Sequence, residues 1–313
     1  MSLGNQTSNA VLLVRPASFG FHPEAASSNA FASAPEGDVQ AQALAEFDAL
    51  ARRLSQARVN TLILEDNAEP AKPDAVFPNN WVSFHRDGTI VLYPMATAAR
   101  RLERNVEGLT TLLKNSGFEV RRVLDLTGHE GRERYLEGTG SLILDRPRRQ
   151  AFASLSVRTD RDVIAEFDEQ LDYSTMVFEA ADAAGQPIYH TNVLLSLGTR
   201  FAVLCTEAVA PAARGALSAE IEAGGRSIIE VDYGQMGQFA CNLIELRNRD
   251  GDPVIALSSA ALNAFTPEQR RALEGFGELV DVAIPTIEAV GVEHQRGGRR
   301  GSFSRALASF RNT

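Results

Sequence analysis

The chain has 313 residues, 44% of them hydrophobic and 23% charged, enough apolar material for one large domain or two ordinary ones. Its net charge of −9 excludes the basic footprint of a general nucleic-acid binder, and no apolar run is long enough to span a bilayer. The N-terminus lacks the apolar core of a secretory signal, and the two cysteines, Cys205 and Cys241, sit in apolar strand-like runs, which points to buried thiols in a reducing cytoplasm.

Residues 1–10 carry no periodic pattern and are expected to lie outside the folded domain, which is read as a single unit over 11–290. Val11-Leu12-Leu13-Val14 reads as a short strand stopped by Arg15-Pro16, and residues 17–36 as a long loop. From Asp38, the spacing of Val39, Leu44, Phe47, Leu50 and Leu54 predicts an amphipathic helix, followed by a strand over 59–64. In the next stretch, Ala75-Val76-Phe77 and Trp81-Val82-Ser83-Phe84 flank Pro78-Asn79-Asn80. Arg86-Asp87-Gly88 then turns a hairpin into a strand over 89–93. A helix is expected from about Ala98 with Leu102, Val106, Leu109, Leu112 and Leu113 on one face, closed by Gly117, then a strand over 118–123.

A third unit runs from Ser141-Leu142-Ile143-Leu144 through Asp145-Arg146-Pro147 to a strand over 151–157. Its helix starts near Thr159-Asp160, and a strand over 176–178 closes it. A fourth begins with an apolar run at His190, read as a buried strand ending at Gly198. It returns over 201–205, forms a helix over 211–223 that stops at Gly224-Gly225, and ends with a strand over 227–231. A fifth has strands over 241–246 and 254–257, a helix over 266–276 and a strand over 279–283. A β-hairpin–helix–strand unit thus recurs four or five times without literal repetition. That predicts a mixed α/β architecture with helices outside the strands. A closed ring of such units leaves a central pocket lined by strand ends and hairpin loops.

Four polar clusters fall at or near the starts of these units. Asp74 with Asn79 and Asn80, beside Phe77 and Trp81, offers a carboxylate and two amides suited to a polar planar group. In Leu136-Glu137-Gly138-Thr139-Gly140, small residues allow close backbone approach and leave Glu137 projecting. Arg158 precedes Thr159-Asp160, a natural helix cap. His190 stands at the entry of its apolar run, and imidazole can take and return a proton near neutral pH. No His/Cys/Asp/Glu group has metal-ligand spacing, so neither a metal nor an organic cofactor is implied.

Taken together, these motifs resemble the pentein, or amidinotransferase, superfamily. The likeness extends to a bacterial branch of amidinotransferase-like hydrolases linked to citrulline use. It is carried by Asp74, Pro78-Asn79-Asn80-Trp81-Val82-Ser83-Phe84-His85, Glu137-Gly138-Thr139-Gly140-Ser141, Arg158-Thr159 and Tyr189-His190-Thr191-Asn192-Val193. Gln235-Met236-Gly237-Gln238-Phe239-Ala240 adds to it, although Cys241 stands where that branch has glycine; the resemblance runs from about Val11 to Glu288. It implies a five-bladed α/β propeller of ββαβ units and a small-molecule guanidino or ureido amino acid as ligand. Neither nucleic acid nor membrane is a partner, and the oligomeric state is left open. It further implies that Asp74 holds the guanidino or ureido group and that His190 is the acid–base residue, oriented by Glu137. Arg158 would bind a substrate carboxylate, and a thiolate would attack the head-group carbon.

The pattern breaks at that thiolate. The superfamily's nucleophilic cysteine lies near the C-terminus after a glycine-rich segment, and this chain has no cysteine after Cys241. Residues 291–313 form an Arg/Gly-rich tail at odds with the acidic chain, expected to be poorly ordered. A natural loss of catalysis, a frameshift or cloning change, and another nucleophile stand as alternatives. Ser302 and Ser304 are hard to ionise, and Cys241 is expected to be buried. The two functional expectations are therefore a C–N hydrolase or amidinotransferase-like enzyme without its thiol, and a catalytically silent protein that binds an arginine-like amino acid.

Overall fold

A computed structural model describes residues 6–20, 38–293 and 308–310. Fifteen strands lie in this part of the chain. They are β1 (Ala10–Arg15) and β2 (Asn60–Glu65); β3 (Val82–Phe84), β4 (Thr89–Leu92) and β5 (Arg122–Asp125); β6 (Ile143–Asp145), β7 (Gln150–Ser154) and β8 (Ser174–Phe178). After these come β9 (Leu195–Leu197), β10 (Phe201–Leu204) and β11 (Ser227–Glu230); β12 (Ile244–Arg247), β13 (Pro253–Ser258) and β14 (Glu278–Val282); and β15 (Ala308–Phe310). They form five separate three-stranded sheets, ordered β15-β1-β2, β3-β4-β5, β6-β7-β8, β9-β10-β11 and β12-β13-β14. In each sheet the first strand pairs antiparallel with the middle one. The third is parallel to the middle one, as a helical crossover requires. The hairpin–helix–strand unit expected from the sequence is therefore present in four sheets, and the first completes the same three-strand order with residues 308–310 in place of a hairpin strand.

The crossover helices form where an apolar stripe coincides with a cap. Asp38 accepts from Ala41 N at 3.0 Å ahead of the helix Val39–Gln56, which buries Phe47, Leu50 and Leu54. Asp160 caps the helix Arg161–Leu171, which buries Val163, Ile164, Phe167 and Leu171 and ends at Asp172 with φ +56°. Pro211 opens the helix Pro211–Ala223, and a Thr266–Gln269 capping box opens Pro267–Glu274. Each fully buried Phe or Leu on these faces contributes about 1.5–3 kcal/mol of transfer free energy.

Ala75-Val76-Phe77, to which the sequence assigned no element, is held in turns by Ala75 N donating to Lys72 O and Phe77 N to Asp74 O. Several expectations are corrected. The run from His190 is not one strand. Thr191–Val193 makes a single 3-10 turn, held by Thr191 Oγ1 donating to Ser141 O at 2.6 Å and accepting from Ser154 N at 2.8 Å, so β9 begins only at Leu195. Cys241 lies in a turn just before β12. The helix expected from Ala98 breaks into Ala98–Arg101 and Val106–Asn115, because Asn105 caps the second segment, and Leu102 is 53% exposed.

The outer limits of the folded unit also differ from the boundaries read in the sequence. Gln6 donates to Leu144 O, Thr7 and Ser8 are buried, and Ser8 bridges to Leu246, so the chain is engaged before Val11. Of the tail from 291 onward, residues 291–293 complete the helix Pro285–Glu293. Residues 308–310 pair with β1 in the register Ala10↔Phe310, because β1 otherwise presents an unpaired edge. Residues 21–37, 294–307 and 311–313 lie outside the described residues, and with them most of the loop over 17–36 and both Ser302 and Ser304. Among the described residues no helix is long and apolar enough to cross a membrane.

Candidate active site

Glu137 is placed by a knot of small side chains. Its N–H donates to Ser141 Oγ at 3.1 Å, Ser141 Oγ donates to Arg158 O at 3.0 Å, and Thr159 Oγ1 donates to Ser141 Oγ at 2.8 Å. Two glycines let this turn seat itself. Gly138 has φ +48°, and a Cβ there would collide with the carbonyl oxygen of Asn79. A Cβ on Gly140 would lie 3.1 Å from His190 Nδ1 and strike the Asn80 amide. The Glu-Gly-Thr-Gly motif is thus the shape of a turn pressed between the Asn79-Asn80 turn and His190.

The Glu137 carboxylate is fully buried and shared. His190 Nε2 faces Oε2 at 2.7 Å, Arg158 Nη1 donates to Oε2 at 3.1 Å, and Ala96 N donates to Oε1 at 3.1 Å. Burial alone would raise this carboxyl, but Arg158, His190 and Arg100 outweigh it and hold it well below the usual carboxylate range. His190 is fully buried too, with extended backbone (φ −134°, ψ 138°) and its ring 4.8 Å from that of Tyr189. The Arg158 guanidinium lies 5.6 Å over the Tyr189 ring.

At the centre is a residue that the sequence reading assigned to no role. The Arg100 guanidinium is buried and donates to Glu103 twice, both at 2.9 Å, to Asn80 Oδ1 at 2.8 Å and to Phe77 O at 3.4 Å. It also lies 3.7 Å from Asp74 and 3.9 Å from Glu137. Burial alone would lower its pKa, but Glu103 and Asp74 hold it above its ordinary value. Burial pushes the Glu103 carboxyl up to about 7 against the pull of Arg100, and Asp74 and Glu137 add to the rise.

Asp74, Glu137, Arg158 and His190 are therefore brought into one connected cluster, through Arg100. Asn80 joins it as the acceptor for Arg100, and its Nδ2 donates to Glu137 O at 3.5 Å. Asn79 is not a partner of Arg100; it lines a cavity of about 110 Å³ together with Thr139, Asn192 and Cys241. The signal that could have revealed Arg100 and Glu103 is their i,i+3 spacing, but exposed pairs share it.

Neither cysteine is a ready nucleophile. Burial pushes the Cys205 thiol up to about 11 and the Cys241 thiol well above its ordinary value, which suppresses the thiolate. Among the described residues no group of three or more His, Cys, Asp or Glu is placed to hold a metal ion.

Comparison with solved structures shows the same fold at low identity. The N-terminal domain of ArgZ, an arginine dihydrolase from the ornithine-ammonia cycle in cyanobacteria, was solved as a cysteine-to-serine variant bound to substrate. It matches with a TM-score of 0.66 and 16% identity over 88% of this chain and 92% of that one. DDAH from Pseudomonas aeruginosa, a cysteine-to-serine variant complexed with citrulline, matches with a TM-score of 0.65 and 14% identity over 97% and 100%. AgrE, as a cysteine-to-alanine variant with L-arginine, matches with a TM-score of 0.66 and 15% identity over 89% of this chain but 38% of its own longer one. No curated protein sequence matches the chain. The family model described as N,N dimethylarginine dimethylhydrolase, eukaryotic, matches residues 15–296. A chain matched over that span, with this fold and these motifs, belongs to the N,N dimethylarginine dimethylhydrolase family of the pentein superfamily.

Proposed function

We propose that this protein binds the guanidino or ureido head of an arginine- or citrulline-like amino acid, and that the chain as it stands hydrolyses that head poorly. The observation that carries the reading is the buried 2.7 Å contact between His190 and Glu137, with Arg158 on the same carboxylate and Asp74 linked through Arg100. In this reading Asp74 meets the ligand's head group, Arg158 its carboxylate, and His190 moves protons under the orientation of Glu137. Asn80 acts through Arg100, and the Asn79 carbonyl packs so close to Gly138 that no side chain fits there.

The same reading takes the five sheets as blades of a five-bladed α/β propeller. What supports it is the contact between first strands: β15 lies against β3, β6 against β9, and β9 against β12, while the Gly138–Ser141 turn touches both β3 and β6. Three residues before the first strand of four sheets stand Asn79, Gly140, Asn192 and Cys241. Asn79, Asn192 and Cys241 line one cavity, and Gly140 follows Thr139, which lines it too. The same count before β15 gives Arg305, which lies outside the described residues. It also follows the Gly-containing segment that precedes the nucleophile in the superfamily.

Arg305→Cys is therefore the variant that tests the missing step. A thiolate introduced there would add to the head-group carbon, and a C–N bond would break as His190 gives a proton to the departing nitrogen. Water, giving a proton to His190, would then displace the sulfur and restore the thiolate. Calorimetry with L-arginine and L-citrulline and an ammonia-release assay check the whole reading. Asp74→Ala should weaken arginine binding by about 1.5–3 kcal/mol, and citrulline binding by less. The unchanged chain should release little ammonia, Arg305→Cys should release it, and adding His190→Ala should stop it. Equal affinity in Asp74→Ala, or brisk turnover by the unchanged chain, would sink the proposal.

A further inference from the structure

We infer that Glu103 is a specificity-determining residue of this site: through Arg100 it sets the net charge that the cluster presents to a ligand, and so the choice between a cationic guanidino and a neutral ureido head group. The inference rests on the reading of the site given above and extends it to a residue that touches no ligand itself.

Arg100 is a guanidinium already resident among the acceptors. It sits between Asp74 and Glu137, accepts company from Asn80, and is gripped by both oxygens of Glu103. That fork is the geometry by which a carboxylate fixes a guanidinium in orientation as well as position. With Glu103 ionised, the cluster holds three carboxylates, Asp74, Glu103 and Glu137, against the two guanidiniums of Arg100 and Arg158. With His190 neutral, one negative charge then awaits a cation. With Glu103 neutral the two signs balance, and a cationic head group loses its advantage. The other titratable group on the cluster is His190, 2.7 Å from Glu137; beyond it, Arg101 and Arg104 share Glu130 and are partly open to solvent, so they are more strongly screened. The groups acting on Glu103 are Arg100, Asp74 and Glu137, and burial pushes its carboxyl up to about 7, so the change falls near neutral pH.

L-arginine and L-citrulline share the same amino-acid end, so the ratio of their affinities isolates the head group. Calorimetry with both ligands at pH 6 and pH 8 reads that ratio directly. In the unchanged protein the preference for arginine over citrulline should rise about tenfold from the lower pH to the higher. In Glu103→Gln, which keeps an acceptor for Arg100 but loses the charge, arginine affinity at pH 8 should fall about tenfold. Citrulline affinity should stay within about twofold, and the pH dependence of the ratio should vanish. A role limited to holding the fold would lower both affinities together and leave the ratio alone. If Glu103→Gln does not fold, the pH series in His190→Asn, which removes the imidazole beside Glu137, decides. Binding of neither ligand overturns the reading of the site and this inference with it; binding of both with a ratio independent of pH overturns the inference alone.

Discussion

Two arginines are buried to nearly the same degree in this molecule, and they do different work. Arg226 meets Asp145 fork to fork, at 2.7 and 3.0 Å, and spends its Nε on Gly198 O at 2.8 Å. The pair is nearly closed, with Arg148 at 3.8 Å as the one further ionic neighbour among the described residues. It ties the end of β6 to the hairpin after β9 and to the entry of β11. Arg100 instead serves three carboxylates, an amide and a carbonyl, and of the carboxylates Glu103 meets it at hydrogen-bond distance while Asp74 and Glu137 stand at 3.7 and 3.9 Å. A balanced buried pair resists change and makes a good rivet. A buried cluster with surplus acceptors has charge still to be answered, and this favours a ligand.

The sharpest way to break this comparison is to remove the rivet. Arg226→Met leaves Asp145 buried without its main partner, and such uncompensated charges typically cost about 3–5 kcal/mol. Urea unfolding should show a correspondingly lower midpoint with little change in slope, while the arginine-to-citrulline preference of the folded protein stays the same. A loss under about 1 kcal/mol would mean that the Asp145–Arg226 contact does not fasten the sheets.

Much of this was legible before any coordinates. The apolar stripes with Phe47, Leu50 and Leu54, and with Val163, Phe167 and Leu171, name their helices, and the recurring unit names the five sheets. His190, Glu137, Asp74 and Arg158 were legible as types in context, because imidazole, carboxylate and guanidinium beside glycines have few structural reasons to recur together. The turn at 191–193 was not, since the tertiary hydrogen bonds that Thr191 makes to Ser141 and Ser154 override the strand propensity of its neighbours. Arg100 and Glu103 were hidden for another reason. They occupy what reads as the polar face of a helix, and burial of that face depends on Asp74 and Glu137, far away in the chain.

A smaller effect separates the carboxylates of the cluster by pH. Glu137 is held below its ordinary 4.5, so its contribution to stability is present above that value and lost as the pH falls through its lowered folded value. Glu103 is raised to about 7, so its contribution is present below 4.5 and lost as the pH climbs toward 7. Glu103 should therefore contribute a decline in unfolding free energy of on the order of 1–3 kcal/mol between about pH 4.5 and 7, at about 1.4 kcal/mol per pKa unit, superposed on a rise up to about pH 6.5 from His85, whose imidazole burial lowers to about 3. Glu103→Gln should flatten that decline and leave the acid limb below pH 4.5 in place. A decline that persists unchanged in the variant would assign it to other groups.

The smallest effect comes from a pair with the same spacing as Arg100 and Glu103. Arg271 and Glu268 are also i,i+3 neighbours, with Nη2 and Oε1 at 2.9 Å, but their side chains are 66% and 73% exposed. Solvent screens their attraction, and holding two long side chains in one geometry costs entropy that offsets most of it. Arg271→Ala should leave the urea midpoint unchanged within error and should leave both ligand affinities unchanged. Glu103→Gln, by contrast, should shift the ligand preference and the pH dependence of stability. Both pairs join a Glu and an Arg three residues apart, so the two variants contrast a buried pair with an exposed one. If Arg271→Ala proved as disruptive as Glu103→Gln, spacing rather than burial would set the strength of these pairs, and the distinction between the surface pair and the one at the candidate site would fall.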